Sequence, residues 1–412
     1  MFAEPSAFLC EQGGIVMFLS LALILFCGFA LGGIMQKLRL PALLGMMITG
    51  IVLGPYVLNL ISPSILDISD DLRKIALIVI LIRAGLALDL KELKKVGRPA
   101  ILMCFVPATI EMAAVTVFAP MLFGISYLEA AIMGAVLAAV SPAVVVPRML
   151  KLIENGYGVK KGIPQLIMAG ASVDDVFVIV LFTSFAGMFK GQGFDVIELL
   201  KVPVSIVLGL AIGILSGIIL VWLFRKIHMR DTVKALLLLG ASFLFVSLET
   251  AIKDAVPLSG LLAVMALGAT IYKQYGGLAK RLSSKYAKVW VGAELFLFVL
   301  VGAAVDIRTL ASVGVASVAL VGVAIAFRMV GVILCLMKTK LNRKEKLFTA
   351  ISYLPKATVQ AAIGGIPLAL GIPAGNTILT VAVVAILTTA PIGAIGADLT
   401  YRKLLANDGQ VD

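Results

Sequence analysis

Polar and charged residues fall along this 412-residue chain in short clusters, and long apolar runs fill the intervals. A run of about 20 apolar residues is long enough to cross a bilayer as a helix. Placed by their polar breaks, thirteen such runs are predicted: 14–35, 42–60, 72–90, 99–122, 127–149, 163–189, 200–224, 233–251, 257–273, 287–305, 309–337, 347–370 and 375–398. The pattern therefore predicts an all-α polytopic membrane protein, a single unit over 1–412, and the longest runs leave room for a bend.

Composition agrees. Apolar residues make up 61% of the chain and charged residues 14%, where soluble domains run nearer 45–50% and about 25%. A soluble chain of this length has too little interior for so much apolar surface, so lipid is the expected solvent. The net charge of +12 raises nucleic acid as a partner, but the basic residues are split into short clusters between apolar runs, which argues for membrane lipid and no nucleic acid. Cys10, Cys27, Cys104 and Cys335 show no CxxC spacing, so neither a zinc site nor a redox pair is expected, and no cofactor is called for. His228, the single histidine, lies in a basic loop and reads as incidental. The N-terminus is acidic and lacks the basic region of a signal peptide.

Of the 35 basic residues, 26 fall in the breaks after spans 1, 3, 5, 7, 9 and 11 and in the C-terminal tail, against 6 (Arg73, Lys74, Lys190, Lys201, Lys253 and Arg308) on the other side. The positive-inside rule then places the N-terminus outside and the C-terminus in the cytoplasm, in a membrane expected to be a bacterial inner (plasma) membrane. Three basic residues remain at membrane depth: Arg83, Arg328 and Lys356. Charge there is costly and needs partners, which makes each a functional suspect.

An internal correspondence links the two halves. IRAGLALD closes span 3 at Asp89 and LVGAAVD closes span 10 at Asp306; Glu111 follows the first aspartate by 22 residues, and Arg328 follows the second by 22. Spans 1–6 (14–189) then match spans 8–13 (233–398), with 200–224 as a linker helix. An offset of seven spans makes the halves antiparallel, the inverted-repeat plan of secondary transporters. A pseudo-two-fold axis would bring Glu111 and Arg328 together as an ion pair.

Span 5 contains SPAVVVPRML, with Pro142 and Pro147, and span 12 contains YLPKATVQAAIGGIPLAL, with Pro355, Gly364, Gly365 and Pro367. Proline removes a backbone donor and frees a carbonyl, an interruption tolerated at depth only inside protein or beside water. The breaks occupy corresponding places in the two halves, so two crossed broken helices are expected, with Lys356 placed to sit against the negative helix ends.

Span 6 carries Asp174 and Asp175 near its middle, flanked by Gly170, Ala171 and Ser172. Adjacent helical positions point about 100° apart, so one carboxylate can line a cavity while the other faces a neighbour. Na⁺ prefers hard oxygen ligands, and in a buried pair of like charges the neutral form of a carboxyl gains ground. Protons and cations then compete for one oxygen, which suffices for antiport if the site opens alternately to each side.

GASVDDV, IRAGLALD and LPKATVQAAIG together resemble the monovalent cation/proton antiporter superfamily, most specifically its NHA-type sodium/proton branch. The resemblance covers essentially the whole spanning region. It implies a homodimer of thirteen-helix protomers, each with a six-helix core and a dimerisation domain in elevator-like movement. It implies that Asp175 binds the cation and proton, with Asp174 beside it, and that Ser141, Val144 and Thr358 at the crossed breaks complete the site. Arg328 stands where electrogenic relatives have a lysine; it cannot release its proton, which points to pairing with Glu111 and one-for-one, electroneutral exchange. Lys356 remains as a partner for Asp174, so stoichiometry stays open.

Rival readings are a K⁺/H⁺ exchanger of the same superfamily, a cation channel, a bile-acid-type symporter and an intramembrane aspartyl protease. The double aspartate favours Na⁺ or Li⁺ over K⁺. The depth charges are too few and too mixed in sign to line a pore. Two acids side by side would repel an organic anion. No GxGD is present, and neighbours on one helix cannot readily close on a scissile bond, so no enzyme is expected.

Overall fold

The computed structural model describes residues 13–88, 97–190, 196–252, 256 and 258–408; Cys10, Asp89, Lys91, Lys94, Lys95 and Lys253 lie outside the described residues. The helices are α1 (Gly13–Lys37), α2 (Ala42–Leu53), α3 (Pro63–Asp67), α4 (Ser69–Ala87), α5 (Arg98–Met103), α6 (Val106–Phe123), α7 (Tyr127–Leu137), α8 (Pro142–Glu154) and α9 (Ile163–Lys190). They continue with α10 (Val196–Lys226), α11 (Asp231–Ile252), α12 (Gly260–Gln274), α13 (Gly276–Ala303), α14 (Ile307–Cys335), α15 (Arg343–Ser352), α16 (Thr358–Ile363), α17 (Ile366–Ala369) and α18 (Gly375–Leu404).

Each of the thirteen predicted spans coincides with a helix or a broken series of helices. Among the described residues, nine stretches are long and apolar enough to cross a membrane unaided; α2, α4, α12 and the series α15–α17 supply the remaining four. The tenth begins earlier than expected, at Gly276, because Lys280, Arg281 and Lys285 ride on the same helix ahead of its apolar portion. Large apolar side chains such as Phe18, Phe26, Leu215 and Trp222 face outward, as a lipid-facing surface requires.

Packing sorts the spans into two groups. One contains α1–α4 and α10–α13; the other contains α5–α9 and α14–α18. Each half of the chain contributes its last three spans to the second group. The groups meet through α16, which packs on α4 and α13, and through the successive helices α9 and α10.

The breaks in the second group follow from local chemistry. Pro142 forces its predecessor out of the helical region, and Ser141 is extended at φ −89° and ψ 110° before α8 starts with proline in its first turn. Pro147 was expected to add to this interruption; it lies inside α8, which runs on to Glu154. Span 12 breaks twice, over 353–357 around Pro355 and at Gly364–Gly365. The start of α7 is held by a capping box between Ser126 and Glu129, and α15 starts with another between Asn342 and Glu345.

Candidate functional site

The two breaks lie against each other. The Ser141 amide donates to the Pro355 carbonyl at 2.8 Å. The Ser141 and Thr358 hydroxyls are 3.3 Å apart, and Gln360 Nε2 donates to the carbonyls of Leu137 (3.1 Å) and Ala139 (2.9 Å). Backbone groups freed by one broken helix are thus satisfied by the other, which makes the interruption tolerable at this depth.

Five ionisable side chains gather at the crossing: Glu111 from α6, Asp174 and Asp175 from α9, Arg328 from α14, and Lys356 from the break before α16. All are fully buried except Asp175, which is 5% exposed. Arg328 is the hub. Its Nη1 lies 2.7 Å from Glu111 Oε2, and its Nη2 lies 2.7 Å from Asp174 Oδ2. It also donates to the Tyr353 carbonyl at 3.0 Å and to the Ala138 carbonyl, and it stacks over the Tyr353 ring. Lys356 Nζ lies 2.6 Å from Glu111 Oε1 and donates to the Leu137 carbonyl at 2.5 Å, among the last carbonyls of α7. Asp174 Oδ2 further accepts from the Val140 amide at 3.0 Å. Sequence reasoning left Lys356 as the partner of Asp174; the geometry gives that place to Arg328 and pairs Lys356 with Glu111.

Asp175 differs from its neighbour. Each has a buried Oδ1 without a hydrogen-bond partner, but Asp174 is held through Oδ2, whereas Asp175 makes no ion pair or hydrogen bond among the described residues. With all five groups ionised, three carboxylates face two cations, so the cluster carries one net negative charge.

Not every expected residue belongs here in the same way. Val144 is buried in the first turns of α8, but its carbonyl already accepts from Arg148 at 2.8 Å. Arg83 stands apart from the cluster, on α4, where it lies over the ring of Trp290 at 5.9 Å. Arg73, assigned to a span end, is instead buried, paired with Asp70 and pressed against Gly365 at the second break of span 12.

A family model described as the transmembrane sodium/hydrogen exchanger matches residues 21–398. The chain belongs to that family. Sodium/hydrogen exchanger 9B2 of Homo sapiens is 34% identical over 414 residues, covering 96% of this chain and 76% of that protein. Sodium/hydrogen exchanger 9B1 of Homo sapiens is 34% identical over 406 residues, covering 93% and 77%. Among solved structures, the sodium proton antiporter MjNhaP1 from Methanocaldococcus jannaschii has the same fold, with a TM-score of 0.81 at 22% identity, over 94% of this chain and 97% of that one.

In this member of the exchanger family, sequence reasoning missed the polar groups that finish the network. Tyr353 supplies a carbonyl to Arg328, and Thr389 accepts from the Lys356 amide at 2.9 Å. Gln360 bridges to the other break. Only Gln360 had a legible signal, as a lone amide inside an apolar run.

Proposed function

We propose that the chain is a secondary antiporter that exchanges Na⁺ or Li⁺ for H⁺ by alternating access, with the two ions competing for Asp175 and with Asp174 beside it. The observation that carries this reading is the contrast between the two aspartates. Asp174 is engaged by Arg328 and the Val140 amide, whereas Asp175 stands without a counter-ion among the described residues. One proton or one monovalent cation neutralises the leftover charge, and an unneutralised charge at this depth is costly. Either ion therefore favours occlusion and neither is needed along with the other, which supports one-for-one, electroneutral exchange.

Ser141 and Thr358 lie at the crossing and are in place to contribute hydroxyl oxygens. Glu111, Arg328 and Lys356 hold the two breaks together. The narrow joint between the helix groups, centred on α16, suits movement of one group against the other, and the outward apolar faces of α1, α10 and α11 suit a homodimer in lipid. Loop charge supports a cytoplasmic C-terminus and an outside N-terminus. The expected bacterial inner membrane draws no support from the vertebrate relatives.

The test is cation-dependent proton movement in proteoliposomes with Na⁺, Li⁺ and K⁺ in turn. Saturable exchange of Na⁺ or Li⁺ is expected, abolished in Asp175→Asn and insensitive to membrane voltage. Wild-type protein that moves no protons in response to any of the three would overturn the reading; a response to K⁺ alone would transfer it to the K⁺/H⁺ alternative.

A further inference from the structure

The amide of Gln360 is oriented by its surroundings. Its NH₂ group has two hydrogens, and two carbonyls, Leu137 and Ala139, receive them. An oxygen facing two carbonyls would be repelled, so the nitrogen end is fixed and the oxygen end must point elsewhere. That oxygen, Oε1, is buried in a fully buried residue and has no hydrogen-bond donor among the described residues.

The segment that anchors the amide is the one that organises the charge cluster. Over 137–141, the Leu137 carbonyl also takes Lys356, the Ala138 carbonyl takes Arg328, the Val140 amide holds Asp174, and the Ser141 hydroxyl meets Thr358. Buried acceptors without donors are rare in folded proteins and call for an explanation.

We infer that Gln360 Oε1 is a neutral oxygen ligand of the transported cation and sets which monovalent cation the site prefers. This rests on the exchange reading above and extends it. No group of three or more His, Cys, Asp or Glu side chains suited to a metal ion occurs among the described residues, so a hard cation at Asp175 must complete its shell with neutral oxygens. The candidates named from sequence are partly spent: Ser141 and Thr358 share a hydrogen bond, and the Val144 carbonyl accepts from Arg148. Gln360 Oε1 has no competing donor. It also carries no charge, so it adds cation affinity without altering the charge balance, and a proton on Asp175 does not need it.

The experiment replaces Gln360 in the full-length protein in proteoliposomes. Gln360→Met keeps length and volume but removes the oxygen, together with the NH₂ that donates to the Leu137 and Ala139 carbonyls. The half-saturating Na⁺ concentration is expected to rise about tenfold, with a smaller change in maximal rate, the pattern of lost ground-state binding. The Na⁺ to Li⁺ preference should change as well, which a merely structural role would not move. Gln360→Glu keeps an oxygen at the same reach; when protonated its hydroxyl can donate to one of the two carbonyls, and when ionised it adds a charge that those carbonyls repel, so cation-dependent exchange with a new pH dependence is expected. Gln360→Met with wild-type half-saturation and wild-type ion preference would overturn the inference while leaving the exchanger reading intact. If Gln360→Met does not yield folded protein, Gln360→Glu decides: unchanged ion preference and unchanged pH dependence would overturn it. Wild-type protein without cation-dependent proton movement would instead defeat the underlying reading.

Discussion

Where α2 crosses α13, backbone meets backbone: a Cβ added at Gly50 would collide with the Val299 carbonyl, and one added at Gly302 with the Met47 carbonyl. Where the break between α7 and α8 crosses the break between α15 and α16, the contacts are hydrogen bonds and ion pairs instead. The first contact depends on small residues and dispersion, the usual adhesive between helices in lipid. It is stiff, and nothing in it changes charge. The second depends on ion pairs among four charges, with Asp175 unpaired beside them, a balance that one proton or cation can shift. If one helix group moves against the other, as the proposed alternating access requires, shape-based packing in one and electrostatic packing in the other divide rigidity from adjustability between them.

The sharpest way to break this contrast is to remove the hub. Arg328→Ala leaves Asp174 without its cation, Glu111 with Lys356 alone, and the Tyr353 and Ala138 carbonyls without their shared donor. Breaking a buried pair on one side costs about 3–5 kcal/mol, and this residue serves two pairs, so a large fall in melting temperature in detergent is expected. Glu111→Ala should follow, somewhat less severely, because Lys356 keeps the Leu137 carbonyl. Both variants should lose more stability than cation affinity. Wild-type melting in both would show that the charges are not holding the breaks together.

How much of this arrangement could be read from the chain differs by element. The spans were legible because each is an apolar run closed by charges, and lipid admits little else. The break at Ser141 was legible because Pro142 follows it, but Pro147 misled: its missing amide is tolerated within α8. The pairing of Glu111 with Arg328 could be anticipated because both are lone charges at equal offsets in two halves. The link from Asp174 to Arg328 could not, since it depends on α6, α9 and α14 converging around one guanidinium. Arg73 was misplaced for a related reason. Its neighbours Asp70, Asp71 and Lys74 look like a loop, and only the fold lays that turn of α4 against Gly365.

A smaller effect sharpens the other side of the comparison. Gly302→Ala adds one methyl at a backbone-to-backbone crossing and should cost about 1–3 kcal/mol by overpacking. The neutral substitution leaves the charge cluster untouched. Its melting temperature should therefore fall by the same amount at any Na⁺ concentration, whereas the deficits of Arg328→Ala and Glu111→Ala should vary with Na⁺. A Na⁺-dependent deficit in Gly302→Ala would mean that the two groups of helices are not separable in the way their packing suggests.

The smallest expected effect concerns the start of α7, the end opposite the one that meets the charge cluster. Glu129 is buried at the start of α7, where Oε2 accepts from the Ser126 amide and hydroxyl at 2.9 and 2.8 Å. Its Oε1 accepts from the Ala374 amide at 3.0 Å, just before α18. One carboxylate thus caps two helix starts. Glu129→Gln keeps the shape but turns one acceptor into a donor, so either the Ser126 cap or the Ala374 link must give way. The loss of one such bond is worth about 1 kcal/mol, visible as a modest fall in melting temperature with exchange retained. If the variant melted as wild type but exchanged with altered cation affinity, Glu129 would belong to the moving machinery and not to its frame. The division between stiff packing and adjustable charge would then have to be redrawn inside the second group itself.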